Sequence, residues 1–432
     1  MPSTSAPQLL GRLSTAARGP LADSRRLAAA GGALYPVLTL LVRLPQTMVP
    51  LGVLTTVALA SGSPALGALC AAAVTVGSAL CGLAMGAAAT WRRRWPGLLL
   101  VGVLNPLAVW WLLRVLAAQG TEPAALLPAC LLTGLVLPQM GVVCRLRWQS
   151  LLAGSDREDL LEPSQRHESV MDAVGTVLAA GLAGLLAERL GPAAVLAVAA
   201  ALTVVSVAVL LLHPSARLPP VLVPWAPGTP PAPTHAARQR RRRQSELRLL
   251  PVVGAVGLGA LVGSVLGAVV VFASSVDAVV SVSWLYAVAG LTSAAAAVLA
   301  SAPVGAGRLR NRWVVSAAAS VLAAMLLSVP DDAAGMVLVL ALVGPTVGPV
   351  LVAVHGIADR AAQRPRATVL TTVTTSAMSV GIAAGLVLSA WSGEQWGYRT
   401  AALWPVLSAS VVLAAALRYV HRWQRTAAGT GR

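Results

Sequence analysis

Twelve apolar stretches, most of them more than 20 residues long, run along the chain and are separated by short polar turns. A helix of about 20 residues crosses a hydrocarbon core about 30 Å thick. Because lipid offers the backbone no hydrogen-bond partners, such a stretch is stable only as a helix. The pattern predicts twelve transmembrane helices, called spans 1 to 12, over residues 33–61, 64–90, 97–118, 124–145, 166–188, 192–213, 249–273, 279–303, 313–330, 333–355, 367–391 and 400–420.

Span 5 is the weakest of these predictions, because Glu168 and Asp172 interrupt its start. The distribution of arginine supports it. With the amino terminus in the cytoplasm, most arginines fall in inner turns, and only Arg114, Arg189 and Arg399 fall at outer ends. Without span 5, every later turn would change sides and the asymmetry would be lost. We therefore expect a multi-pass protein of the cell membrane with both termini in the cytoplasm.

Composition narrows the possible functions. The 432 residues are 57% hydrophobic and only 11% charged, which is too few charges for a soluble domain. All basic residues are arginine, and the absence of lysine excludes a P-loop NTPase or a Schiff-base enzyme. Cys70, Cys81, Cys130 and Cys144 lie in apolar stretches without the spacing of a metal site or a disulfide framework. We expect no metal and no cofactor.

A proline-rich segment at 214–248 divides the chain and includes the run Arg240 to Arg243. Its composition does not form a packed core. The arginine run is expected to face anionic lipid headgroups, at about 1 kcal/mol per residue, rather than nucleic acid. The predicted organisation is a cytoplasmic leader at 1–32, a six-helix bundle at 33–213, the cytoplasmic linker at 214–248, a second six-helix bundle at 249–420 and a cytoplasmic tail at 421–432.

The leader has no apolar core followed by a cleavage site, so it does not resemble a secretory signal, and span 1 is expected to act as an uncleaved anchor.

The two halves carry similar landmarks. The run Arg92 to Trp95 follows span 2 and the run Arg310 to Trp313 follows span 8. Likewise, Arg145 to Arg147 after span 4 corresponds to Arg364 to Arg366 after span 10, at nearly the same offset. Internal repeats of this kind are typical of transporters, although arginine-rich inner turns occur in any polytopic protein.

Together these features resemble the major facilitator superfamily, in particular its actinobacterial efflux-like members. The resemblance covers about residues 30–420 and is carried by Arg43 to Pro45, Arg145 to Trp148, Glu168 to Asp172 and Arg364 to Thr368. It implies an all-α integral membrane fold with two six-helix bundles. It also implies a secondary transporter that works by alternating access, with a central cavity lined by spans 1, 2, 4, 5, 7, 8, 10 and 11.

The chain departs from the family at three positions. After span 2, Thr90 stands where the family signature has an aspartate. Thr176 follows Gly175 where antiporters tend to have Gly-Pro, and Ala173 follows Asp172 where relatives often carry a second acid. The resemblance therefore implies the fold more directly than it implies drug/proton antiport.

Charged side chains at membrane depth are the first functional candidates, since burying them is costly. Arg43 lies about 15 Å along span 1, with Gln46 on the same face. This face either lines the cavity, so that replacing Arg43 abolishes transport but leaves protein abundance unchanged, or holds a structural ion pair. Glu168 and Asp172 share a face of span 5 and form with Arg145 either a proton-coupling or gating centre or a static salt bridge between spans 1, 4 and 5. Asp172 is the preferred carrier, and Glu168 is expected at the wet interface.

Further cavity candidates are polar or aromatic residues of the other spans. Prolines beside Asn105 and Gln139 and at positions 345 and 349 suggest kinks. Hydroxyls of span 11 either face the cavity or bond their own helix. Arg145, Arg147 and Trp148 lie near the predicted inner interface, where the sequence favours ordinary interfacial residues over cavity residues. The further candidates are Asn105, Gln139, Trp284, Tyr286, Thr371 and Thr375.

Three classes of function remain. A membrane enzyme needs clustered acids or histidines, whereas the five histidines are scattered. A scaffold that has kept the fold is the third alternative. The sequence favours a monomeric secondary transporter of a small organic molecule, not an enzyme. Export in exchange for protons is what the family resemblance implies. A largely apolar cavity with few charges favours an amphiphilic or weakly anionic substrate.

Overall fold

The computed structural model describes residues 25–32, 34–88, 94–152, 157–213, 235–301, 306–361 and 367–429. All regular secondary structure in these ranges is helical. Twelve helical segments are long and apolar enough to cross a membrane, so the protein is a multi-pass membrane protein, and the predicted number of spans is confirmed.

The helices of spans 1 to 6 are Tyr35–Leu41 with Leu44–Ser61, Pro64–Ala88, Arg94–Gln119, Pro123–Leu135 with Met140–Leu152, Leu161–Leu190 and Pro192–Leu212. Those of spans 7 to 12 are His235–Ser275, Val282–Ala300, Ala306–Met325, Ala333–Ala361, Ala367–Trp396 and Leu403–Gly429. Short helices Glu158–Leu160, Val279–Ser281, Leu326–Ser328 and Tyr398–Ala401 lie in the connections.

The predicted boundaries differ most from the structure at the predicted inner ends of the spans. The helix of span 4 continues to Leu152, and the helices of spans 5 and 9 begin at Leu161 and Ala306. Hydropathy detects the edge of the apolar layer, but a helix continues beyond that edge wherever its residues allow. Glu168 and Asp172 therefore lie inside a helix rather than at its start.

Two spans are interrupted. Span 1 breaks at Val42 and Arg43, two residues before Pro45, and span 4 breaks between Leu135 and Met140, around Pro138. Proline favours such breaks because it has no N–H to donate to the preceding turn. The helices of spans 3 and 10 continue through Pro106, Pro345 and Pro349.

The spans form two bundles of six. Within the first, span 1 packs against spans 2, 5 and 6, and span 4 packs against spans 2 and 3. Within the second, span 7 packs against spans 10, 11 and 12, and span 10 also contacts spans 8 and 9. The bundles meet mainly where span 2 contacts span 11 and where span 5 contacts span 8.

Glycines bring spans 7 and 11 into backbone contact. A Cβ on Gly263 would lie 2.0 Å from the carbonyl oxygen of Ile382, and one on Gly381 would lie 2.1 Å from that of Val256. Small residues permit this close approach of two membrane helices.

The segments outside the bundles are only partly described. Residues 235–248 of the predicted linker are the first turns of the helix that contains span 7, and the predicted tail is helical to Gly429. Leu27, near the end of the predicted leader, is fully buried beside Trp148. Residues 1–24 and 214–234, and the side chains of Arg240 to Arg243, lie outside the described part of the chain.

Candidate functional site

A cavity of about 290 Å³ lies between the two bundles. Its volume is close to the lower end of the range for small-molecule sites, about 300 Å³. Residues of spans 1, 2, 4, 5, 7, 8, 10 and 11 line it, which is the set that the family resemblance implied. The cavity is therefore shared by both halves of the chain.

Arg43 joins span 1 to both acids of span 5. Its Nε donates to Asp172 Oδ1 at 2.5 Å, and its two terminal nitrogens donate to Glu168 and to the backbone carbonyl of Thr39. Although Arg43 contributes to the cavity wall, its side chain is only 4% exposed. Arg43 thus holds the two carboxylates in place.

Asp172 is the exposed member of this cluster. Its second oxygen accepts a hydrogen bond from Arg145 of span 4, and its side chain is 36% exposed. Arg43, Arg145, Glu168 and Asp172 carry two positive and two negative charges. The cluster is therefore formally neutral, and it ties spans 1, 4 and 5 together.

Glu168 lies deeper in the protein than the sequence predicted. Its side chain is fully buried, not at a wet interface, and Trp148 Nε1 donates to its second oxygen at 2.7 Å. Trp148 and Arg147 are buried as well, and Arg147 donates to the carbonyl of Leu210 at 2.6 Å. The interfacial interpretation of these two residues was wrong, because a tryptophan or arginine near a span end packs inward when a polar partner lies there.

Two glycines make room for the charged cluster. A Cβ on Gly141 would lie 3.1 Å from Asp172 Oδ1, and one on Gly175 would lie 3.3 Å from Arg43 Cβ. Sequence reasoning noted Gly175 only as a departure from the family pattern. The signal that sequence reasoning missed is the presence of Gly141 and Gly175 on the two spans that carry the charged residues, where a small residue leaves room for a neighbouring charged side chain.

A chain of amides continues the polar wall. Gln46 Nε2 donates to Gln139 Oε1 at 2.6 Å, and Gln139 Nε2 donates to the Ser78 hydroxyl at 2.9 Å. These residues belong to spans 1, 4 and 2 and all line the cavity. Gln46 and Gln139 were candidates, whereas Ser78 was missed because serine is common in membrane helices.

Two of the candidate residues in the C-terminal half line the cavity, namely Tyr286 and Thr375. It also contributes His355 and Ser379, and sequence reasoning passed over His355 as one of the scattered histidines. Ser379 donates to the Thr375 carbonyl four residues before it, which is the local alternative considered for the hydroxyls of span 11. The side chain of Thr371 lies outside the described residues.

Two other candidates lie away from the cavity. Asn105 is fully buried in span 3, which packs against spans 4 and 6. Trp284 lies at the predicted outer end of span 8, is 42% exposed, and donates to Glu188 at 3.3 Å. Spans face the cavity on one side only, and hydropathy does not reveal which side.

The predicted outer ends of the bundles are joined by hydrogen bonds. Glu394 of span 11 accepts from the hydroxyl of Ser63 and from the backbone N–H of Ala65, both at 2.8 Å. The bond from Trp284 to Glu188 joins spans 8 and 5 in the same way. Both contacts lie beyond the residues that line the cavity, towards the predicted outer face.

Solved structures identify this architecture. The chain is similar to the nucleoside transporter NupG, with a TM-score of 0.59, 16% identity and coverage of 90% of this chain and 98% of that one. It is similar to the human organic anion transporter MFSD10 (TETRAN), with a TM-score of 0.57, 16% identity and coverage of 92% of this chain and 99% of that one. It is also similar to an auto-inhibited POT family peptide transporter, with a TM-score of 0.60, 14% identity and coverage of 90% of this chain and 96% of that one.

The chain has the major facilitator fold. At these identities the likeness shows the fold alone, and nucleosides, organic anions and peptides are substrates of those three proteins. No family model matches the chain, and no curated protein matches it.

Proposed function

We propose that the protein is a secondary transporter that carries a small organic molecule across the cell membrane by alternating access. The observation that carries the proposal is the cavity between the two bundles, lined by four spans of each half. A ligand in such a cavity contacts both halves at once, so a rocking motion of one half against the other can expose it to either side. The three similar transporter structures agree with this function.

Proton coupling is proposed at Asp172. Its carboxylate faces the cavity and is held by Arg43 and Arg145 from two other spans. If Arg145 moves away in the second state of the transporter, the carboxylate loses half of its charge compensation and can accept a proton. Glu168, fully buried behind Arg43, keeps that arginine in position. A proton entering in exchange for substrate would then drive export.

Two further assignments concern membrane orientation, which rests on the charge pattern of the sequence, and oligomeric state, which rests on the cavity. We propose that both termini and the linker lie in the cytoplasm, with Arg240 to Arg243 against anionic headgroups. We also propose that the monomer is the working unit, because one chain supplies the whole cavity.

Reconstitution in vesicles tests the proposal. Purified protein is placed in vesicles that contain a pH-sensitive dye, and a panel of cationic, anionic and neutral amphiphiles is added from outside. Substrate-dependent proton movement is expected, and it should be absent from protein-free vesicles. Chemical conversion of a compound without proton or substrate movement would instead indicate an enzyme, and the absence of both would indicate a scaffold.

A further inference from the structure

The two walls of the cavity differ in chemistry. Every arginine and aspartate that lines it, and both amide side chains, come from the N-terminal half. The C-terminal half supplies one histidine, one tyrosine and three serine or threonine side chains, and otherwise an extended apolar surface: Val262, Val265, Leu266, Val347, Met378 and Ile382. A ligand that satisfies both walls has one polar end and one apolar body.

The accessible charge on the polar wall is negative. Asp172 is 36% exposed, whereas the side chains of Arg43 and Arg145 are 4% and 8% exposed. Both guanidinium groups already donate to carboxylates. Each oxygen of Asp172 accepts one arginine hydrogen bond and retains a further lone pair. A molecule entering the cavity therefore meets a hydrogen-bond acceptor with a negative charge.

Two neighbouring groups complement a positively charged head. Gln46 donates its amide to Gln139, and among the described residues its own carbonyl oxygen accepts no hydrogen bond. Tyr286 lines the opposite wall, and its ring can attract a cation. Its hydroxyl likewise has no described hydrogen-bond partner.

We propose that the substrate is an amphiphile with one protonated amine, which binds Asp172 while its apolar body lies on the C-terminal wall. This assignment rests on the proposed transport function and specifies its substrate class. An anionic head would lie beside the Asp172 carboxylate, while the two arginine side chains that could compensate its charge are only 4% and 8% exposed, so its burial there is costly.

The assignment also gives a reason for exchange. A proton and an ammonium group compete for the same carboxylate, so binding of one favours release of the other. Arg43, Arg145 and Glu168 surround Asp172 from its own half, and His355 and Tyr286 are the titratable groups of the opposite wall. Competition at one carboxylate is sufficient to couple the two fluxes in opposite directions.

A matched set of probes tests the head group with the wild-type protein. The set comprises naphthylethylamine, its trimethylammonium derivative, naphthylethanol and naphthylacetate, with binding measured by calorimetry in detergent at neutral pH. Because the ammonium adds charge attraction to the hydrogen bond that the alcohol can also donate to Asp172, we expect the amine to bind about tenfold tighter than the alcohol, with the acetate weakest. The trimethylammonium probe separates simple charge attraction from donation of an N–H.

Asp172→Asn should remove the preference for the amine and leave binding of the alcohol unchanged. Asp331→Asn, an exposed outer position, serves as control. If Asp172→Asn does not fold, Asp172→Asn combined with Arg145→Gln avoids the unpaired guanidinium and makes the same comparison. Equal binding of all four probes, tighter binding of the acetate, or no binding of the amine at millimolar concentration would overturn the assignment. Preferred binding of the amine without movement across vesicles would contradict the transport function but not the head group.

Discussion

At the scale of single residues, the cost of burying charge made the cluster partly predictable. Arg43, Glu168 and Asp172 attracted attention because ionisable groups at membrane depth need partners. A salt bridge between spans 1, 4 and 5 was one of the alternatives, but which atoms pair was not predictable, because it depends on how the three spans rotate about their axes. Trp148 shows the limit, since an interfacial tryptophan and one that donates to a buried carboxylate look identical in sequence.

Arg43→Ala is expected to lower the amount and thermal stability of the folded protein. The substitution leaves Glu168 fully buried without its arginine, a loss that costs about 3–5 kcal/mol in buried pairs. The structure thus favours the structural alternative for Arg43. Thermal unfolding in detergent measures the effect, with the exposed Arg189→Ala as control.

A double variant isolates the cause of that loss. Glu168→Gln combined with Arg43→Ala removes the unpaired charge and should recover part of the lost stability. If Arg43→Ala is as stable as the wild type, Arg43 does not hold the cluster together.

Asp172→Asn is expected to remove the pH dependence of transport in vesicles. The amide keeps the shape of the carboxylate but does not exchange a proton. Any remaining substrate movement should therefore follow the concentration gradient of the substrate and not the proton gradient. Transport rates measured across a range of external pH, with and without an imposed proton gradient, check this. An Asp172→Asn protein that keeps both the full rate and its pH dependence would exclude Asp172 as the coupling site.

At the scale of elements, hydropathy and the arginine pattern predicted all twelve spans. In lipid, every backbone N–H and C=O of an apolar segment must find its hydrogen-bond partner within the protein, which favours a helix. They did not predict the helical start of the linker at His235, since proline and charge suggested a solvated segment. Arginine is a good helix former, and the last proline before span 7 in that segment is Pro233. The break at Pro138 was suggested by its proline, but the break at Arg43 was not expected.

Gly263→Ala is expected to destabilise the contact between spans 7 and 11. The added Cβ would lie 2.0 Å from a backbone oxygen, so the helices must separate, and overpacking costs about 1–3 kcal/mol. Gly97→Ala is the matched control, because a Cβ there meets no heavy atom within 4 Å. Melting temperatures of the two variants should differ by several degrees, and equal values would contradict the close approach of these backbones.

At the scale of the whole molecule, the sequence indicated two related halves but not how they touch. In the proposed alternating-access mechanism, the contacts between the halves differ between two states, and a single sequence encodes both. In this structure the predicted outer ends are joined through Glu394 and through Glu188. The cavity lies inward of both contacts, so the structure corresponds to a state closed towards the predicted outer face.

Glu394 is the stronger of the two outer contacts, and removing it should open the protein outward. Its carboxylate accepts from the Ser63 hydroxyl and from Ala65 N–H at the first turn of span 2, where the helix dipole also favours a negative charge. Hydrogen bonds to a charged acceptor contribute about 1.5–3 kcal/mol each. Because Glu394 is exposed, water replaces much of this contribution, and we expect a net loss of about 1.4 kcal/mol. Glu394→Ala should then shift the population towards the outward-open state by about tenfold.

Labelling from outside measures the shift. A cysteine introduced as Thr47→Cys lies on the cavity wall, and the four native cysteines are buried. In sealed vesicles with the predicted outer face exposed, an impermeant thiol reagent should label this cysteine about tenfold faster in the Glu394→Ala background. Glu122→Ala is the matched control, because Glu122 is an exposed acid before span 4 whose side chain makes no capping bond. Equal labelling in the two backgrounds would mean that Glu394 does not hold the outer side closed.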